Sequence, residues 1–123
     1  MKVYIVRHGE VKHNILKSFS LNDEELTLIG VAQAENLRHR IKDIDYDAIF
    51  SSPLKRTMHT ANIINYKKLD VIIDDRLKER SCGNLDGKTF NLEDKDEYWN
   101  YYTLKKYGTE EDIKEFFKRV YIF

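Results

Sequence analysis

With a single cysteine, Cys82, the chain holds no second thiol for an internal disulfide, and its composition suits a reducing compartment. There is one proline, Pro53, and no internal repeat. Charge of either sign is not in excess: 21 Lys and Arg face 21 Asp and Glu. No global field therefore draws the protein to nucleic acid or to an anionic membrane, and neither is expected as a partner. Affinity for an anionic ligand must come from a few local cations. Long apolar runs are missing too. The opening "MKVYIV" is shorter than the core of a secretory signal, and no stretch approaches membrane-spanning length, so a cytoplasmic location is expected. A length of 123 residues suffices for one core, which predicts a single domain over 1–123.

The patterning that is present alternates between two periods. "VYIV" at 3–6 is a short β-branched and aromatic run, the signature of a strand buried on both faces, while "HNILKSFSLNDEE" has no clean period and reads as a loop. From Thr27 a helix is predicted, with Gly30, Ala34, Leu37 and Ile41 at helical spacing. "DAIFSS" reads as a second strand. "SPLKRTMHTANII" reads as a second helix, with Ser52 as N-cap and Pro53 at the first helical position. "DVIIDDRL" is a third strand, followed by the glycine-punctuated "KERSCGNLDGKT". This order predicts an α/β fold: a mostly parallel sheet with helices on its faces, in three layers. Beyond it, the charged and aromatic stretch over 88–108 reads as a lid or a surface helix. "TEEDIKEFFKRVYIF" reads as a last helix capped by Thr109, with Ile113, Phe116, Phe117, Val120 and Tyr121 as its apolar face. The run stops at Phe123 with neither a glycine nor a polar cap, which predicts that the domain continues past it.

In open α/β sheets, ligands gather beyond the carboxyl ends of the strands. Arg7 and His8 follow the first predicted strand; Ser51, Ser52 and Arg56 follow the second; Glu79 follows the third. Taken singly, Arg56 reads as a solvated helix residue and Glu79 as an exposed carboxylate. Together, two guanidiniums, an imidazole and a carboxylate at one edge describe phosphoryl transfer. The arginines would neutralise the phosphoryl oxygens, a role other enzymes give to magnesium, so no metal or other cofactor is expected. His8 would attack phosphorus through one ring nitrogen while a backbone carbonyl holds the other, and Glu79 would protonate the leaving oxygen.

Four ordered segments resemble the histidine phosphatase superfamily, the phosphoglycerate-mutase-like group. They are "RHGEVKHN", "LTLIGVAQAENL", "IFSSPLKRTMHTA" and "LKERSCGNLDGKT", spanning the chain to residue 89. The resemblance implies that His8 is the phosphate acceptor, that Arg7 and Arg56 hold the phosphoryl group with help from Asn14, and that Glu79 donates the proton. It also implies a late strand between the first two, carrying a second catalytic histidine. His13, His39 and His59 all lie too early to match that residue. Without the late strand two inner edges would go unpaired, which invites aggregation or swapping unless a further segment or a partner chain fills the gap. The turn "ERSCG" carries Ser81 and Cys82 where mutases have distinctive residues, and Thr89 is closer to the phosphatase pattern. The expected function is a metal-independent phosphomonoesterase acting on a small phosphorylated metabolite through a phosphohistidine at His8. The alternatives are a phosphoglycerate mutase, a phosphate-binding module without turnover, and a structural remnant that folds by swapping, with a homodimer as one candidate assembly.

Overall fold

The computed structural model describes residues 1–89 and 94–123. Its centre is a β–α–β unit. Strand β1, Ile49–Ser51, lies parallel to β2, Val71–Ile73, with Phe50 opposite Ile72. Three shorter helical segments surround it: α1 is Lys12–Ile15, α4 is Lys95–Tyr98 and α5 is Ile113–Tyr121. Helix α2, Leu28–Ile41, packs on α3, Lys55–Ile64, the crossover between the strands. Helices thus flank a small parallel sheet, an α/β arrangement. No helix among the described residues is long and apolar enough to cross a membrane.

Local chemistry explains the boundaries. The Thr27 side chain accepts from the Gly30 amide at 3.0 Å and caps α2, and Arg38, His39 and Arg40 sit at its negative end. In α3 the buried positions Arg56, Thr60, Ala61 and Ile64 recur at helical spacing and define its inner face. That helix begins at Lys55, not at Pro53. The Ser52 hydroxyl meets the Thr57 hydroxyl at 2.6 Å, and Leu54 occupies the cap position with an extended backbone. The third predicted strand is cut short after Ile73 because Asp74 turns the chain into a 3₁₀ turn, its carboxylate accepting from the Arg76 amide at 2.8 Å. Asp112, rather than Thr109, caps α5: its side chain accepts from the Lys114 amide at 2.8 Å, whereas the Thr109 hydroxyl accepts from the Asn84 amide. Of the predicted apolar face of α5, Ile113 is buried while Phe117, Val120 and Tyr121 are exposed. Within the predicted loop after the first run, α1 forms one short turn. In the stretch over 88–108, residues 90–93 lie outside the described residues and α4 is the helix found beyond them.

The largest departure is "VYIV". Val3–Val6 makes no backbone ladder among the described residues, and Val3 and Ile5 are 71% and 94% exposed. β-forming residues express that preference only through cross-strand neighbours, and no described strand lies beside this run. Phe50, Ile72 and Ile73 of the parallel pair are also partly exposed.

The segment just after this run is, by contrast, firmly held. Val11 is fully buried and bridges to Leu26. The Thr27 amide donates to the Glu10 carbonyl at 2.9 Å, and the Glu10 amide donates to Gln33 Oε1 at 2.9 Å. Backbones meet here directly: a Cβ on Gly30 would lie 2.2 Å from the Glu10 carbonyl oxygen, and one on Gly9 2.4 Å from that of Gly30. Glycine is required on both sides because the obstacle is rigid backbone. Gly30→Ala is therefore expected to destabilise the protein by about 3 kcal/mol, read from the urea midpoint; a loss under about 0.5 kcal/mol would show that this contact relaxes freely.

Candidate active site

The five residues singled out from the sequence, Arg7, His8, Asn14, Arg56 and Glu79, line one cleft of about 240 Å³. They arrive from four places in the chain: the end of the apolar run, α1, the first turn of α3, and the loop that follows β2. Ser51 and Ser52 do not line it. The Ser51 hydroxyl donates to the Ser52 carbonyl at 2.9 Å, and the Ser52 hydroxyl is taken by Thr57.

One hydroxyl brings His8 to Arg56. The Gly9 amide donates to Thr60 Oγ1 at 3.0 Å, and Thr60 Oγ1 donates to the Arg56 carbonyl at 2.8 Å. The residue after His8 is thereby tied to the residue that presents the guanidinium. Thr60 lies in the segment "IFSSPLKRTMHTA" that carries the family resemblance, one helical turn after Arg56 on the same inner face, but the sequence assigns it no role.

His8 Nδ1 lies 2.7 Å from the Gly9 carbonyl oxygen. A carbonyl only accepts, so the bond assigns the proton to Nδ1 and leaves the lone pair on Nε2. Burial is the main influence on this imidazole and lowers its pKa. The Gly9 bond opposes that shift, Arg56 and Arg7 add to it, and Glu79 opposes it. The balance favours the neutral ring, the form with a nucleophilic nitrogen. Arg56 is buried; its Nη1 donates to the Leu21 carbonyl at 2.7 Å, while its Nε has no hydrogen-bond partner. Burial pulls its pKa down, and Glu79 and Glu24 pull it back up. A buried donor left unpaired costs stability.

The remaining groups sit at the rim. Arg7 and Asn14 are exposed, and Asn14 Oδ1 accepts from the Val11 amide at 3.0 Å, closing the turn behind His8. Glu79 is exposed; its Oε1 accepts from the Arg80 amide at 3.1 Å and its carbonyl from Arg119 Nη2 at 3.1 Å. Phe19, Tyr98 and Trp99 form an aromatic wall along the cleft, so part of the 88–108 stretch does border the site. Cys82 also lines it, but burial pushes its thiol up to about 11, which leaves it protonated and unreactive at neutral pH. His13, His39 and His59 are absent from the lining; His13 is instead paired with Glu24 at 2.7 Å. No cluster of three or more His, Cys, Asp or Glu able to hold a metal occurs among the described residues.

Comparison with known proteins bears on this constellation. The model of the histidine phosphatase superfamily (branch 1) matches residues 3–122. "Probable phosphoglycerate mutase GpmB" of Proteus mirabilis is 38% identical over 102 residues, covering 80% of this chain and 47% of the relative. "Uncharacterized phosphatase PhoE" of Bacillus subtilis is 40% identical over 87 residues, 69% of this chain and 45% of the relative. The crystal structure of the α-ribazole phosphatase from Shigella flexneri superposes with a TM-score of 0.81 at 26% identity, over 95% of this chain and 62% of that one. The chain spans about half the length of the curated relatives it matches.

The environment of His8 makes a signed prediction. An NMR titration of His8 should give a midpoint below the ordinary 6.5, moved further down by Glu79→Gln and up by Arg7→Gln. Because the unfolded chain takes up this proton first, stability should fall as pH drops from 6.5 through the lowered midpoint and be unaffected above it. A midpoint above the ordinary value would contradict this electrostatic reading.

Proposed function

We propose that this chain, which belongs to branch 1 of the histidine phosphatase superfamily, carries the phosphoryl-accepting half-site of a phosphomonoesterase. The observation that supports this most directly is the His8–Gly9 bond, which leaves Nε2 as the free nitrogen in a cleft that Arg7 and Arg56 also line. In the proposed reaction His8 Nε2 attacks phosphorus, a P–N bond forms, and the ester P–O bond breaks. The departing oxygen takes its proton from Glu79 in the acid form. Arg7 and Arg56 balance the charge on the phosphoryl oxygens, and Asn14 keeps the His8 turn closed. Water then attacks the phosphohistidine, gives its proton to the Glu79 carboxylate, and releases inorganic phosphate. The guanidiniums supply the positive charge that a metal would otherwise bring, so the scheme needs none.

The substrate class is a small phosphorylated metabolite. A phosphatase fits better than a mutase because the turn after Glu79 carries Ser81 and Cys82 at the two positions where mutases have distinctive residues. The named relatives include both activities.

Hydrolysis of p-nitrophenyl phosphate with trapping of the phosphoenzyme tests the reading. His8→Ala is expected to abolish both signals, and Arg56→Ala to lower the rate roughly a hundredfold. Vanadate binding without turnover would instead favour a phosphate-binding module. Absence of binding together with concentration-dependent association would favour a swapped assembly. In a separate measurement, Glu79→Gln should slow an alkyl phosphate at least about tenfold more than the activated aryl ester, since only the poor leaving group needs the proton. Equal slowing of both would remove Glu79 from the donor role.

A further inference from the structure

Arg80 is 3% exposed, lines the cleft beside Glu79, and has no part in the chemistry above. A buried guanidinium ordinarily faces a carboxylate. This one bonds elsewhere. Its Nε donates to the Glu111 carbonyl at 2.8 Å, its Nη1 donates to the Tyr98 carbonyl, and its plane lies over aromatic rings, 4.1 Å from the Tyr98 centroid and 5.6 Å from that of Trp99. Its own amide donates to Glu79 Oε1. Tyr98 is held at its other end as well, where its hydroxyl meets Cys82 Sγ at 3.9 Å.

The segment on the far side is equally anchored. Glu111 Oε2 accepts from the Ser81 amide at 3.2 Å, and the Glu111 carboxylate pairs with Arg119 at 2.6 Å. Arg119 in turn donates to the carbonyls of Arg76, Lys78 and Glu79. The loop that presents Glu79 is therefore gripped from α5 by one arginine and reaches out to the aromatic wall through another.

From this arrangement we infer that Arg80 is a positioning residue that locks the Tyr98–Trp99 wall to the Glu79 loop, so that wall and carboxylate meet the leaving group of the ester as one unit. A planar fork is what such a lock requires, because two carbonyls at fixed angles and stacking on a ring are contacts an ammonium cannot reproduce together. The wall further implies a leaving group with an apolar or planar face. The consequence for catalysis rests on the phosphatase reading, whereas the consequence for structure does not.

Trp99 is the chain's only tryptophan, so its fluorescence reports the wall directly. Arg80→Lys keeps the charge and loses the fork. It should raise acrylamide quenching of Trp99 at least about twofold and slow an alkyl phosphate about tenfold more than p-nitrophenyl phosphate, mainly in kcat. Unchanged quenching in the folded variant, or equal slowing of both esters, overturns the inference. If the chain proves to have no phosphatase activity, the proposed function fails while the quenching result still decides the clamp. Should Arg80→Lys not fold, Trp99→Leu at its partly exposed position is expected to shift the ester preference in the same direction; an unaltered preference overturns the inference.

Discussion

The arrangement depends on the hydroxyl of Thr60. It accepts from the Gly9 amide, 51 positions earlier in the chain, and donates to the carbonyl of Arg56, so the His8 segment and the start of α3 meet at a single oxygen. Three further contacts keep the His8 segment from moving away: the backbone approach at Gly9 and Gly30, the Glu10–Thr27 bond, and the burial of Val11. Each is short, and each is made by backbone or by a small side chain with little freedom to lose. Precision at the cleft comes from the helix pair, and the apolar run before it contributes no described pairing.

Positive charge is then concentrated where the chain as a whole has none. Arg56 and Arg80 are both nearly inaccessible to water, Arg7 stands at the rim, and the balanced total of 21 against 21 hides this local excess. Desolvating two guanidiniums is unfavourable unless their donors are used. Arg80 satisfies two of its nitrogens with carbonyls and lies on aromatic faces; Arg56 leaves Nε open. The same crowding of cations, added to burial, holds His8 neutral. The two buried arginines thus differ in what their donors meet, although both line the same cleft.

Apolar surface is distributed in the opposite way. Val3, Ile5, Phe50, Ile72 and Ile73 are all partly or largely exposed, although the β-forming character of these runs is unmistakable. Two parallel strands bury little by themselves, and parallel sheets in general are covered on both faces. The well-packed part of the molecule lies at α2, α3 and the His8 segment, and the strands add only a short ladder to it.

Much of the fold was legible because it is written in local terms. Thr27 marks the start of α2 by its side chain, the apolar spacing of α3 follows its inner face, and "AIFSS" and "VII" carry the β-forming residues of the parallel pair. The clustering of His8, Arg56 and Glu79 was readable too, because residues at strand ends in such a sheet share one edge. What tertiary structure alone decided depends on partners distant in the chain. Ser52 and Thr109 have capping chemistry, but Thr57 and Asn84 claim their hydroxyls and the helices start elsewhere. "VYIV" has the composition of a strand and no described neighbour to make it one. Thr60 and Arg80 fall within the segments that carry the family resemblance, but the sequence names no partner for either. Their roles exist only because folding brings a glycine amide to one and two carbonyls and a pair of rings to the other, and no period or motif encodes contacts between segments so far apart in the chain.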